Sequence, residues 1–202
     1  ITVVYATSGG AGRDRSGRGL KGLSLAKARE QESRQALQAL GVKTAPIFWR
    51  LNDRSLETQG EVMTRRLSRL LSRAQYDVVI SFGEKGITGH KDHIFIGELV
   101  RQHWQAALAA SEQNVSLLQV VVSKSRADIA TELAKQATHP YRINQPTNDD
   151  LITFTHNVAD FQPQRVAAFN RYDTQFPASL KSLWQAFTQV APTEDFIVVE
   201  RD

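Results

Sequence analysis

Short apolar runs alternate with longer amphipathic stretches along the chain. Residues 1–7, 45–49, 77–82 and 116–123 are brief, nearly continuous in apolar side chains and rich in Val, Ile or Leu. That is the pattern of strands in a parallel sheet buried on both faces. Helical periodicity fills the gaps between them. One predicted helix runs from an N-cap at Ser24 to Leu40, with Gly41 placed to end it. Others cover about 61–73 and 92–111, and a fourth follows Ser125 and stops before Pro140, whose ring forbids a continuing helix. The βαβα order predicts an α/β fold: a Rossmann-like, doubly wound, mainly parallel sheet with helices on both faces. Past Pro140 the pattern gives a strand at 151–158, helices at 163–175 and 179–187, and a final strand at 196–199. Residues 141–202 thus read as a C-terminal extension of one domain spanning 1–202, with no linker or repeat.

Composition narrows the class. A chain of 202 residues, 41% apolar and 23% charged, can bury a substantial core and is neither disordered nor fibrous. Its apolar runs are strand-sized, so no membrane span is expected. With no cysteine, a disulfide framework and a Cys-ligated metal are excluded, and the compartment stays open, the cytoplasm being the default. The net charge of +4 is mild for a nucleic-acid binder. Arg65, Arg66, Arg69 and Arg73 share a predicted helix with Val62, Met63, Leu67, Leu70 and Leu71, so they read as its solvated face.

Ligands of such a sheet bind beyond the carboxyl ends of the strands, which directs attention to the loops after Thr7, Trp49, Phe82 and Ser123. The third of these, Gly83 to His93, holds His90, Asp92 and His93 on a glycine-rich turn that opens a helix. Imidazole is a common neutral metal ligand, and a neighbouring carboxylate can fix its tautomer. His93 aligns with Ile96, Gly97, Val100, Trp104 and Ala107 at spacings of three and four, which points it inward. Asp92, in the first helical turn, can instead serve only the helix dipole. One His is not a metal site, since catalytic zinc takes about three protein ligands. His103, His139 and His156 are scattered and read as structural.

The loop after the first strand, Ser8 to Gly19, invites a dinucleotide-binding reading, but Arg15 occupies the third glycine position and the helix starts too late. A flexible basic loop beside the site fits better. In the first helix Arg29 and Glu32 fall on or beside the apolar stripe, where charge is costly unless paired. They either pair with each other or face a polar cavity. Asp53 lies at the same sheet edge and by itself is an ordinary turn residue.

In chain order these segments carry a family likeness. Ser8-Gly9-Gly10 after the first strand, Arg29 to Glu32 in a helix ending Leu40-Gly41-Val42, Asp53, and Gly89-His90-Lys91-Asp92-His93 after the third strand are its parts. Together they resemble the PIG-L/LmbE family of N-acetylglucosamine-type deacetylases, strongly over about residues 1–100 and loosely beyond, where Tyr172 to Gln175 is similar to a His-x-Ser-Gln stretch. Lys91 stands where the family has Pro. The family's opening His-Pro-Asp-Asp signature is absent, and a βα unit of about thirty residues would fit before Ile1. Because Ile1 opens directly into a strand-like run, N-terminal truncation is the expectation.

The resemblance implies zinc or another divalent metal bound in part by His93. It implies His90 as oxyanion stabiliser or acid, Asp92 as the group orienting His90, and Arg29 and Asp53 as substrate-binding residues. The implied substrate is an N-acetylated amino-sugar conjugate, and acetate and a free amine are the products. Two rivals of other classes stay open: a non-catalytic sugar- or partner-binding module, and a nucleotide-binding α/β protein. The sequence leaves open the acetylated compound and whether the chain forms a homo-oligomer.

Overall fold

The first helix ends as its sequence requires. In the computed structural model, which describes residues 1–73, 76–109, 115–143 and 145–200, α1 spans Gly22–Ala39 and follows β1 at Val4–Thr7. Gly41 adopts φ +77°, open to glycine without a Cβ penalty, and the amides of Gly41 and Val42 close on the carbonyls of Gln38 and Leu37 at 3.0 Å each. At the other end the cap is Lys21. Ser24 sits three residues inside the helix, its hydroxyl accepting from the Lys21 amide at 3.1 Å. The helix starts earlier than its Ser24 cap signal because that hydroxyl serves the first turn from within.

The chain divides into two compact units. The first comprises 1–54, 133–141 and 158–192. Here β1 pairs in parallel with β2, Ile47–Leu51, with a register irregularity between Tyr5 and Thr7. Tyr5 stacks on Phe48 across the pair at 5.0 Å, and Arg34 of α1 lies over the Phe48 ring at 4.7 Å. The buried side of α1, with Leu25, Ala36 and Leu37, packs on α6, which runs Gln162–Phe169. Phe169 then stacks on Trp184 of α7, Ala178–Val190, at 4.2 Å and on Phe176 at 4.6 Å.

The second unit comprises 55–132, 142–157 and 193–202. Its elements are α2 (Gly60–Arg73), β3 (Val78–Phe82), a short turn α3 (Gly86–Gly89), α4 (Lys91–Ala109), β4 (Ser116–Val121), the greater part of α5 (Lys124–Gln136), β5 (Phe154–Asn157) and β6 (Thr193–Val199). The sheet order is β3-β4-β6-β5. β3 and β4 are parallel, and β6 enters antiparallel to both β4 and β5. The α/β class holds, with parallel pairs β1–β2 and β3–β4. The antiparallel entry of β6 could not be read from an apolar run, because strand direction leaves no mark on composition. The stretch after Pro140 is shared: 142–157 and 193–202 belong to this unit, while α6 and α7 belong to the first.

Trp104 and Leu117 form the buried centre of this unit, with Val79, Val100, Val115 and Val199 packed against them. Strand β3 departs from the expectation of burial on both faces, since Val78 and Ile80 are exposed. It is the edge strand of its sheet, and the α4 packing covers its Val79 side. Gly97 brings α4 close: a Cβ there would lie 2.4 Å from the Phe82 carbonyl oxygen. That approach sets α4 against the carboxyl end of β3, where the histidine turn begins.

Candidate active site

The turn that carries the histidines is built by glycine. Gly83 leaves β3 where a Cβ would strike Val121 at 2.6 Å. Gly86 and Gly89 both take positive φ, and a side chain at Gly86 would meet the His93 Cβ at 2.9 Å. Ile87 shares the left-handed region at φ +61°, a costly conformation for a β-branched residue. The chain turns tightly here and re-enters α4 at Lys91.

His90 caps α4. Its Nδ1 accepts the backbone N–H of Asp92 at 3.2 Å, while its carbonyl accepts from His93 and Ile94 at 3.0 and 3.1 Å. A ring nitrogen that accepts carries no proton, so His90 holds its hydrogen on Nε2. His93 is set the opposite way. Its Nδ1 lies 3.1 Å from the Gly86 carbonyl, an oxygen that can only accept, so Nδ1 carries the proton of that bond. His93 stacks on Phe82 at 4.2 Å, with the rings 4° from parallel, and the two imidazoles are 5.1 Å apart. The two Nδ1 atoms therefore play opposite parts, that of His90 accepting and that of His93 donating. His90 is exposed and His93 half-buried.

Asp92 is buried, and its carboxylate accepts the Leu56 amide at 3.2 Å, anchoring the 3-10 turn Leu56–Gln59. The main-chain N–H of Asp92 is also the donor to His90 Nδ1. His103 turns its Nδ1 onto the Leu99 carbonyl at 3.0 Å, and His139 accepts the Tyr141 amide at 3.1 Å. Both contacts are local and structural.

Arg29 and Asp53 both bind the glycine-rich loop of the first unit. Arg29 donates from Nη1 to the Gly9 carbonyl at 2.6 Å, from Nη2 to the Arg13 carbonyl at 3.1 Å, and from Nε to Thr174 Oγ1 at 3.4 Å. Asp53 accepts from the Ala11 amide at 3.0 Å and from the Thr7 hydroxyl at 3.4 Å. A cation thus holds the carbonyls of the loop and an anion holds its N–H. The glycines follow from this, since a Cβ at Gly9 or Gly12 would lie 2.7 or 2.5 Å from the Arg29 Nη1. Burial lowers the Arg29 pKa, and the charges of Asp53 and Glu32 oppose the shift.

The loop is not the loose basic segment expected. The Asp14 carboxylate binds the Ser16 amide (2.8 Å), the Ser16 hydroxyl (2.6 Å) and the Leu20 amide (3.0 Å). The Ser16 hydroxyl above all, then the Leu20 amide, holds the Asp14 pKa down at about 2. Nor do Arg29 and Glu32 simply pair. Glu32 accepts both the amide and the hydroxyl of fully buried Thr174, at 2.9 and 2.6 Å. Thr174, in the stretch only loosely similar to the family, is the junction where both charges find a partner.

A second network went unread in the sequence. Buried Glu30 accepts a bidentate pair from Arg50 at 2.8 and 2.9 Å, the Ser8 hydroxyl at 2.7 Å and Arg34 at 3.3 Å. The Arg50 hydrogen bond leads in holding the Glu30 pKa at about 2. Only the Glu30–Arg34 spacing of four was visible in the sequence.

For a divalent metal, the lone pair on His93 Nε2 is the right kind of donor, and an Nδ1–H held by a carbonyl is how ligating histidines are oriented. No group of three or more His, Asp or Glu side chains that could hold a metal ion occurs among the described residues. His93 is one donor, and the described residues alone do not fit a complete metal site.

The family model of the GlcNAc-PI de-N-acetylases (PIG-L) matches residues 1–104, just over half of the chain. The chain belongs to the PIG-L family. The matched range contains the histidine turn, Arg29 and Asp53, and it stops before Thr174. Family membership supports a hydrolase of the deacetylase type. No curated protein sequence matches this PIG-L chain. Several solved structures are similar to it, among them two enzymes. One is the N,N'-diacetylchitobiose deacetylase from Pyrococcus horikoshii complexed with its inhibitor MPG, at 19% identity and a TM-score of 0.67, covering 98% of this chain and 72% of that one. The other is GalB, the 4-carboxy-2-hydroxymuconate hydratase from Pseudomonas putida KT2440, at 15% identity and a TM-score of 0.66, covering 100% of this chain and 84% of that one. At such identities the likeness establishes the PIG-L/LmbE-like fold and leaves the chemistry to the site.

Proposed function

We propose that this PIG-L chain is a metal-dependent hydrolase that removes the N-acetyl group from an amino-sugar substrate of N-acetylglucosamine type. The opposed hydrogen-bonding states of His90 and His93 on one turn carry the reading. The Nε2–H of His90 is poised to donate to an acetyl carbonyl oxygen as it gains charge, or to pass a proton to the departing amine. The Nε2 of His93 would serve as one ligand of zinc or a similar ion. Held there, such an ion would supply polarisation of the carbonyl and a lowered pKa for water. Asp92 positions the turn through its main-chain N–H on His90 and its carboxylate on Leu56. Arg29 and Asp53 act by fixing the Ser8–Arg13 loop, whose backbone then meets the sugar.

Acetate release from N-acetylglucosamine conjugates, with metal content measured by elemental analysis, tests the proposal. His90→Ala should keep the metal and lose turnover by about a hundredfold or more. His93→Ala should lose metal as well. Wild-type turnover in His90→Ala, or undiminished metal in His93→Ala, would assign the turn another role. Failure of the unaltered protein to release acetate from any such conjugate, while metal is bound, would favour the non-catalytic binding module.

A further inference from the structure

A cavity of about 410 Å³ opens in the first unit between the glycine-rich loop and the start of α7. Arg15 and Arg18 line it from the loop, and Lys181, Asp173, Phe176 and Pro177 line it from the other side. We propose that this cavity binds a phosphate group. The proposal does not depend on the deacetylase reading.

Three features support it. First, the lining carries three cations against the single carboxylate of Asp173. Among the described residues Arg15 has no carboxylate partner. Arg18 reaches Glu32 only at 3.6 Å, while Lys181 donates to the Asn170 carbonyl at 2.9 Å and pairs closely with an Asp173 side chain that is 67% exposed, so the two arginines supply most of the attraction. The cations therefore retain attraction for an added anion. Two guanidinium forks match the oxygens of a phosphate.

Second, the arrangement is built in advance. The Asp14 contacts fix the loop from Asp14 to Leu20, and the Arg15 amide donates to the Thr174 carbonyl at 2.9 Å, which ties the loop to the segment leading into α7. Arg18 is braced by Nε donating to Ser16 Oγ at 2.9 Å. The loop backbone and the Arg18 side chain are thus fixed before an anion arrives, which lowers the ordering entropy that opposes binding. Third, α7 begins at the cavity with Pro177 as its cap, and no side chain caps its first amides. These point the positive end of the helix at the same space and add to the cationic lining. The Phe176 ring supplies an apolar wall against which a sugar or similar body can lie.

An NMR titration of the protein, following the amides of residues 15–20 and 178–181, tests this directly. The probes are inorganic phosphate, glucosamine 6-phosphate, acetate and chloride, compared at equal ionic strength. Saturable shifts at those amides with either phosphate probe, absent with acetate and chloride, are expected. Tighter binding of glucosamine 6-phosphate would identify a phosphorylated sugar as the natural occupant, and tighter binding of inorganic phosphate would identify the free ion. Arg15→Ala and Lys181→Ala should each weaken the response about tenfold, as loss of a charge-assisted hydrogen bond does. Arg15→Lys should restore part of it, and Lys27→Ala, on the exposed side of α1, should leave it unchanged. An equal response to acetate or chloride would overturn the proposal. So would shifts centred elsewhere, or undiminished binding in folded Arg15→Ala.

Discussion

The glycine-rich loop of the first unit and the histidine turn of the second are both glycine-built loops that follow parallel strands, yet they are held in opposite ways. In the first, side chains grip backbone: Arg29 takes two carbonyls, Asp53 an amide, and Asp14 closes the far end. Arg29, Asp53 and Asp14 are spent there on holding shape. In the second, backbone grips side chains: the Gly86 carbonyl orients His93 and the Asp92 amide orients His90. Both contacts are made through the Nδ1 of the imidazole, one accepting and the other donating. A charged residue at a sheet edge can therefore be either architecture or machinery, and its hydrogen-bond partners distinguish the two.

Substitution should separate the regions most sharply through stability. Arg29→Ala removes three hydrogen bonds from a charged donor and is expected to cost about 2–4 kcal/mol. At about 2–4 °C per kcal/mol for a chain of this size, the thermal midpoint should fall visibly. His90→Ala should lower the midpoint by only about 2–4 °C, because an exposed cap is worth only about 1 kcal/mol. If the two melts respond alike, the contrast is wrong. An unchanged midpoint in Arg29→Ala with a raised KM would return Arg29 to direct substrate binding.

A smaller effect sharpens the account of the glycines. Gly12→Ala forces the Arg29 guanidinium away and should cost about 1–2 kcal/mol, the worth of the displaced hydrogen bond to Gly9. In an Arg29→Ala background the same change should cost almost nothing. A double-mutant cycle measures this coupling, and strict additivity would remove Arg29 as the reason for glycine there.

The smallest effect concerns pH and the Glu30 network. The Glu30 pKa falls from 4.5 to about 2 in the folded protein, the Arg50 contact being the main cause. A carboxylate with a depressed folded pKa stabilises fully above its unfolded value, and that contribution drains away as pH falls from 4.5 through about 2. Arg50 lies largely in solvent, so salt weakens the effect. Acid unfolding of Glu30→Gln compared with the unaltered protein should show a flatter dependence of stability on pH in that window. Equal slopes would mean the network contributes nothing.

Local signals carried far. Apolar runs located the strands to within a few residues, Gly41 ended α1 where its φ demanded, and the stripe from His93 through Gly97, Val100 and Trp104 pointed at the sheet. The predicted helix at 163–175 was overlong: α6 stops at Phe169, and the following residues carry the Thr174 junction instead. Periodicity cannot register a buried threonine whose partners lie more than a hundred residues away. Glu30 was passed over for the same reason, since its main partner Arg50 arrives with β2.

What the sequence determined by itself was whatever depends on neighbours along the chain: the elements, the glycine turns, the order of the histidines and the family they share. Only the tertiary structure decided which nitrogen of each histidine carries the proton, that Arg29 and Asp53 clamp one loop from two sides, and that β6 runs against its neighbours. Those outcomes depend on which donors and acceptors distant segments bring within about 3 Å, the range over which a hydrogen bond forms. Pattern along a chain records burial and conformation, and it holds no record of that distance.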